Sequence, residues 1–180
     1  MGISSVVPRI PVLLLALSGV ALAQSPVIVV SQLHPPPEPG VDYWDLSEAI
    51  YYAPPGATIV VLDGEHPILI AVDKPLTIIT DGPVNITGQL TVTGLAANEA
   101  VVLRGLDIAG GFEEAGLRID GCAGPVWVEG CTISGGYQSP QSQGVLVLDS
   151  LAVHLVRCEL AKVAHIVARG SVAMGGCERV

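Results

Sequence analysis

The amino-acid sequence predicts an all-β fold, a solenoid of stacked coils, on three observations. The first is a repeat. Leu103-Arg104-Gly105-Leu106-Asp107-Ile108, Val128-Glu129-Gly130-Cys131-Thr132-Ile133 and Leu155-Val156-Arg157-Cys158-Glu159-Leu160 read as one segment written three times. Ile108, Ile133 and Leu160 close the three copies, which sets a period of roughly 25 residues. An earlier copy, Leu76-Thr77-Ile78, lies one slightly longer period before Leu106-Asp107-Ile108. The second is the make-up of the repeat: β-type residues without helical periodicity, at a period typical of stacked coils. The third is strand length. Short runs punctuated by Gly, Pro, Asp or Asn cannot make a stable meander. They are sufficient if each pairs with its equivalent one coil away, at about 4.8 Å.

The elements follow in chain order. Residues 1–23 read as a signal peptide, with Arg9 as the basic n-region, an apolar run from Ile10 to Val20, and Ala21-Leu22-Ala23 before Gln24 as the cleavage site. The apolar run is short for a membrane span, and an uncleaved N-terminal anchor is the alternative. No later stretch is long and apolar enough to span. The chain beyond the signal is therefore expected to be exported, extracellular or periplasmic. Residues 24–41 read as a Pro-rich linker, with a short strand over Val27 to Val30 and then His34-Pro35-Pro36-Pro37-Glu38-Pro39-Gly40, which lacks most backbone donors. A helix follows, with Asp42 as the expected N-cap, Asp45 three residues on, an apolar stripe of Leu46, Ala49, Ile50 and Ala53, and Pro54-Pro55-Gly56 as the stop.

After Gly56 the pattern is β throughout. Strands are expected at Thr58 to Leu62, Ile68 to Val72, Leu76 to Thr80, Val84 to Thr87, Leu90 to Thr93, Ala100 to Leu103 and Leu106 to Ile108. More follow at Leu117 to Ile119, Val126 to Val128, Cys131 to Ile133, Val145 to Leu148, Val153 to Val156 and Ile166 to Ala168. The repeat makes Leu103, Leu106 and Ile108, with Val128, Cys131 and Ile133 and with Leu155, Cys158 and Leu160, the inward set. Two residues separate the first two inward positions of each copy, where alternation allows one, so a corner between two strands is expected there. Val172, Met174 and Cys177 extend the pattern toward Val180 with no cap after it. A partner over the last coil, dimerisation there, or truncation of a longer solenoid are the readings this leaves.

The cap-like helix, then Ala53-Pro54-Pro55-Gly56-Ala57-Thr58-Ile59-Val60-Val61-Leu62-Asp63-Gly64 and Asp73-Lys74-Pro75-Leu76-Thr77-Ile78, resembles the start of right-handed parallel β-helix proteins of the pectin-lyase-like superfamily. The resemblance covers roughly residues 42–170. It implies a right-handed parallel β-helix of about four coils over residues 42–180, with an N-terminal helix covering the first open strand edge. It does not specify activity, because that superfamily holds polysaccharide lyases, hydrolases, esterases and exported proteins without catalysis. Enzymes of this kind have more coils than are present here.

Composition narrows the partners. The chain carries 8 basic and 17 acidic residues for a formal charge of −9, and loss of Arg9 with the signal makes it −10. With no basic run, nucleic acid and anionic lipid are poor partners. The four cysteines are Cys122, Cys131, Cys158 and Cys177. Cys131 and Cys158 share one repeat position with Leu76 and Leu106, which reads as stacked free thiols first and a disulfide within the column second. Their spacing matches no zinc site, and neither a metal nor another cofactor is expected. His66, His154 and His165 share no ligand spacing and read as surface or turn residues. Asn85-Ile86-Thr87 is a glycosylation sequon within an expected strand.

Outward positions of equivalent strands stack into columns. Asp107, Thr132 and Glu159 form one, and Val102, Trp127 and His154 another, with Glu129 near Trp127. Gly110-Gly111-Phe112 and Gly135-Gly136-Tyr137 set Phe112 and Tyr137 on one side, in stacking range. The candidate ligand-binding residues are therefore Trp127, His154, Phe112 and Tyr137, as platforms for sugar rings. The candidate catalytic carboxylates are Asp107, Glu159 and Glu129. Asp107 and Glu159, two coils apart, would stand about 10 Å from one another, near the upper end of the inverting-glycosidase range. A lyase would need calcium or a basic cluster at a uronate, whereas Arg104, Arg118, Arg157, Lys162 and Arg169 are scattered along the chain. The expected role is thus structural or binding, with polysaccharide or another exported protein as partner, the latter at the last coil. A polysaccharide hydrolase or lyase, or the N-terminal fragment of one, is the alternative.

Overall fold

The structure, a computed structural model, describes residues 25–34, 36–68, 70–111, 115–136, 143–161 and 166–179. Residues 1–23, read above as a signal peptide, and Phe112, Tyr137, Lys162 and His165 lie outside the described residues.

The chain runs β1 (Val27–Ser31), α1 (Leu46–Tyr52), β2 (Ala57–Pro67), β3 (Leu76–Thr80), β4 (Val84–Thr87), β5 (Leu90–Thr93), β6 (Val101–Arg104) and β7 (Asp107–Ala109). It continues through β8 (Leu117–Asp120), β9 (Val126–Glu129), β10 (Thr132–Ser134), β11 (Val145–Val156), β12 (Glu159–Ala161), β13 (Ile166–Gly175) and β14 (Glu178–Arg179). Every strand pairing is parallel, and strand neighbours lie far apart in sequence. The result is one curled, all-parallel, solenoid-like sheet, compatible with a parallel β-helix.

Three faces can be traced through it. The first stacks β1, the start of β2, β3, β6, β9, the end of β11 and the end of β13. The second stacks the end of β2, β4, β7, β10, β12 and β14. The third stacks β5, β8 and the starts of β11 and β13. Among the described residues of the stretch from Ile68 to Val72, expected as a strand, pairing with this third face is made by the bridge Val72 to Val92. Its coil is the shorter one: Ala57 pairs with Leu76, whereas Leu76 pairs with the more distant Val101.

Alternation drives the packing. In β6 the pattern buried, half-buried, buried, exposed points Val101 and Leu103 inward. Register then builds apolar columns, such as Ile59, Ile78, Leu103, Val128 and Leu155 on the first face and Ile86, Ile108, Ile133 and Leu160 on the second. Leu103, Val128, Leu155, Ile108 and Ile133 are fully buried. Each such side chain contributes about 1.5–3 kcal/mol over an exposed one.

The expected corner between the first and second faces is present. Gly105, Gly130 and Gly176 sit there at φ +71°, +58° and +62°, each just before an inward Leu106, Cys131 or Cys177. A left-handed turn is what lets two residues, not one, separate successive inward positions, and glycine takes it without steric cost. Arg157 takes the same turn at φ +52°.

One part of the sequence register is corrected. Leu76-Thr77-Ile78 does not align with Leu106-Asp107-Ile108: Leu76 pairs with Val101 and Ile78 with Leu103, on the first face. Both segments alternate identically, so their residue types alone do not separate a first-face strand from a second-face one.

Helix α1 forms where expected, with Leu46, Ala49 and Ile50 buried. It packs against β2 and β1. Its N-cap is Asp45, whose side chain accepts from Glu48 N at 3.1 Å. Asp42, the expected cap, instead accepts from Val29 N at 2.8 Å and holds the helix approach to β1.

The turn after β1 is fastened by a buried carboxylate. Asp63 accepts from Ser31 Oγ at 2.9 and 3.0 Å, from Gln32 N at 2.9 Å and from Leu33 N at 3.0 Å, with His34 Nδ1 3.6 Å away. Burial pushes this carboxyl's pKa up, but the donors from Leu33, Ser31 and Gln32 outweigh it and hold the pKa below the usual value.

His66 is also corrected. It is fully buried, not at the surface, because the β2 alternation shifts by one residue after Asp63, at Gly64 and Glu65, and turns it inward in register with Ile86. Its Nε2 is 2.8 Å from Asp63 O, and its Nδ1 has no partner.

Candidate functional site

The first face carries the most chemically varied surface. Register places Val102, Trp127 and His154 in one outward column, as expected from the repeat. The indole and imidazole rings stack with centroids 3.9 Å apart and planes 10° apart. Trp127 remains 42% exposed. Its other neighbour in the column is the much smaller Val102, so the indole overhangs on that side. A groove of 290 Å³ opens there, lined by Val102, Arg104, Trp127, Glu129 and Val156. His154 is not in the lining; it backs the indole from the far side.

The next outward column holds Arg104, Glu129 and Val156. Glu129 Oε2 accepts from Arg104 Nε at 2.9 Å and lies 2.8 Å from its Nη2. Glu129 Oε1 pairs with Arg157 Nη2 from the next coil. Both carboxylate oxygens are thus engaged by guanidinium groups from the coils on either side. Arg104 and Arg157, distant in sequence, are brought around one carboxylate, so they are not scattered in space. With both oxygens already committed to guanidinium donors, Glu129 has neither oxygen without a partner to offer a substrate, which argues against it as an acid or base.

Arg157 reaches Glu129 from a strained position. A non-glycine residue at φ +52° costs on the order of 1–2 kcal/mol. The equivalent corners hold Gly105, Gly130 and Gly176, so the arginine stands where the backbone favours glycine.

The other carboxylate candidates stand on the second face. Asp107, Thr132 and Glu159 are in register, as expected, and the column extends to Glu65, Asn85 and Glu178. Asp107 and Glu159 are exposed, with Thr132 between them. None of the column lines the described grooves. Asn85, the sequon residue, points outward and is exposed. Phe112 and Tyr137, the other proposed stacking residues, lie outside the described residues.

Two further surfaces are not among those expected from the sequence. Tyr43 stacks on Tyr52 at 6.1 Å, Tyr51 meets Tyr52 edge-on at 4.9 Å, and Trp44 is 56% exposed, all around α1. A 350 Å³ groove there is lined by Pro26, Val27, Ile28, Asp42, Tyr43, Tyr52 and Pro54. The signal available in the sequence is a helical wheel, which puts Tyr51 and Tyr52 off the apolar stripe. A groove of 490 Å³ by Pro67, Ile68, Ile70, Ala71, Thr87, Gly88, Gln89 and Thr91 is larger than either but has no ionisable lining side chain. Among the described residues, no group of three His, Cys, Asp or Glu side chains is placed to hold a metal ion, and no helix is long and apolar enough to cross a membrane.

Comparison with protein-family models finds no match, and neither does comparison with curated proteins or with solved structures.

Proposed function

We propose that this chain is an exported, non-catalytic right-handed parallel β-helix protein that binds a neutral glycan in the first-face groove at Trp127. The observation that carries the reading is the exposed indole, backed by His154 and bordered by the Arg104–Glu129–Arg157 ion cluster at a strained corner. An indole face is a platform for the apolar side of a sugar ring, and the flanking guanidinium donors and carboxylate oxygens suit its hydroxyls. The overall charge of −9 disfavours a polyanionic chain. Resemblance to pectin-lyase-like proteins supports the handedness, about four coils and the capping role of α1, whose buried face lies against β1 and β2. The signal-like segment supports export.

The alternative, a polysaccharide hydrolase or lyase, is less well supported. Its carboxylate pair, Asp107 and Glu159, is exposed on a column away from the described grooves, and Glu129 is held by two arginines.

The test is a glycan array with the purified protein, followed by fluorescence titration of the Trp44→Phe variant, in which Trp127 is the remaining indole. Binding that quenches Trp127 and is lost in Trp127→Ala and Arg104→Ala is the expected result. Binding indifferent to both substitutions would sink the groove. New reducing ends from the bound glycan, abolished by Asp107→Asn or Glu159→Gln, would favour the enzyme.

A further inference from the structure

Cysteines recur at the corner between the first and second faces. Cys131, Cys158 and Cys177 follow Gly130, Arg157 and Gly176 and continue inward the position of Leu106. Their thiols donate to carbonyl oxygens of the preceding coil: Cys131 Sγ to Leu103 O at 3.7 Å, Cys158 Sγ to Val128 O at 3.4 Å, and Cys177 Sγ to Leu155 O at 3.4 Å. The three form a ladder with one thiol per coil. Cys122 stands apart, at another corner, donating to Val92 O.

We propose that Cys158 and Cys177 are a disulfide-forming pair, a modification site that staples the β14 coil to the coil before it. Register supports this. Glu159 pairs with Glu178, and Glu178 N donates to Cys158 O at 3.0 Å, so the two cysteines occupy equivalent positions in adjacent coils. One strand spacing, about 4.8 Å, lies within the Cα separation a disulfide requires. Accessibility is graded along the ladder. Cys131 and Cys158 are buried, whereas Cys177 is partly exposed and follows the exposed Met174, Gly175 and Gly176. Burial pushes the Cys131 thiol up to about 12 and also raises Cys158, which interacts directly with the Cys177 thiol. Cys177 is thus the thiol an oxidant can reach, and Cys158 is its neighbour.

The chemistry balances with a small disulfide such as oxidised glutathione. The Cys177 thiolate attacks one glutathione sulfur, the glutathione disulfide breaks, and one glutathione leaves as thiolate. Cys158 then gives up its proton and attacks the Cys177 sulfur, forming the protein disulfide and expelling the second glutathione. Two protein thiols are oxidised, one glutathione disulfide is reduced to two thiols, and the two protons end on those thiols. The inference rests on the export reading only for where such an oxidant is met.

The purified protein, treated with oxidised glutathione, tests the pair independently of export. After quenching and denaturation, the titratable thiols should fall from four to two. A non-reducing tryptic digest should link the 158–162 peptide to the 170–179 peptide. Cys177→Ser should abolish the link and Cys131→Ala should retain it. A stable glutathione adduct on Cys177, a link to Cys131 or Cys122, or four free thiols would each overturn the proposal. Export is read separately, from the N-terminal residue of protein recovered outside the cytoplasm. Failure there removes the natural setting and leaves the in vitro pair standing.

Discussion

Removing the Asp63 carboxylate probes how the turn after β1 is held to β2. Its side chain accepts from Ser31 Oγ, Gln32 N and Leu33 N at 2.9–3.0 Å and is 12% exposed. In Asp63→Ala the Ser31 hydroxyl retains no acceptor there, and the Gln32 amide loses its partner in a part-buried site. Leu33 is 72% exposed, so water can replace the carboxylate for its amide. Counting two orphaned groups at about 1–2 kcal/mol each gives a loss of about 2–4 kcal/mol. With a urea m-value of about 2 kcal/mol/M, the midpoint should fall by about 1–2 M. Asp63→Asn keeps an acceptor oxygen but loses the charge, and should cost about half as much.

The pH dependence has a definite sign. Burial raises this carboxyl's pKa, and the Leu33, Ser31 and Gln32 donors more than reverse it, so the folded pKa is depressed. Between the folded and unfolded values the unfolded chain binds more protons, so stability rises with pH across that window. The carboxylate's contribution is fully present above the ordinary value of 3.8 and is lost as pH falls through the lowered folded value. Wild type should therefore lose stability faster than Asp63→Asn as pH falls below about 4. A loss below about 0.5 kcal/mol in Asp63→Ala, or identical acid profiles for wild type and Asp63→Asn, would refute the reasoning.

Three other outcomes are expected. Glu129→Gln should destabilise by no more than about 1 kcal/mol, because Arg104 and Arg157 are 60% and 69% exposed. The difference from wild type should shrink in urea melts at high salt. Gly124→Ala should cost about 3 kcal/mol or more, since its Cβ would overlap Glu99 O and Ala96 O, both backbone atoms. By contrast, Gly130→Ala meets nothing within 4 Å and bears only its φ of +58°, a cost of about 1 kcal/mol; equal losses in thermal melts would contradict the packing. Leu103→Ala, fully buried between Ile78 and Val128, should cost about 2–5 kcal/mol by the same measurement.

The inward positions Leu103, Val128 and Leu155, the corners before Leu106 and Cys131, and the Trp127–His154 column all follow from one local period. Alternation and a two-residue gap are visible in any single copy, and stacking repeats them. The Leu76 misalignment has the same origin: a short motif matches across different faces when the intervening loops change length. Asp45 is hard to single out as N-cap because Asp42 also offers a capping pattern, and only the Val29 contact shows what Asp42 does instead.

By itself, the sequence determined the all-β character, the apolar columns and the outward neighbours Asp107, Thr132 and Glu159, because alternation and repeat length are local properties of the chain. Tertiary structure alone decided the rest. Glu129 meets Arg104 and Arg157 only when successive coils are brought into register. Asp63 meets the 31–33 turn only across the whole of α1 and its flanks. His66 turns inward because the alternation of β2 shifts by one residue where the strand passes between two faces, at Gly64 with φ +108°, so that two residues and not one separate it from the buried Asp63. Such pairings depend on loop lengths and strand register, which no local residue pattern records.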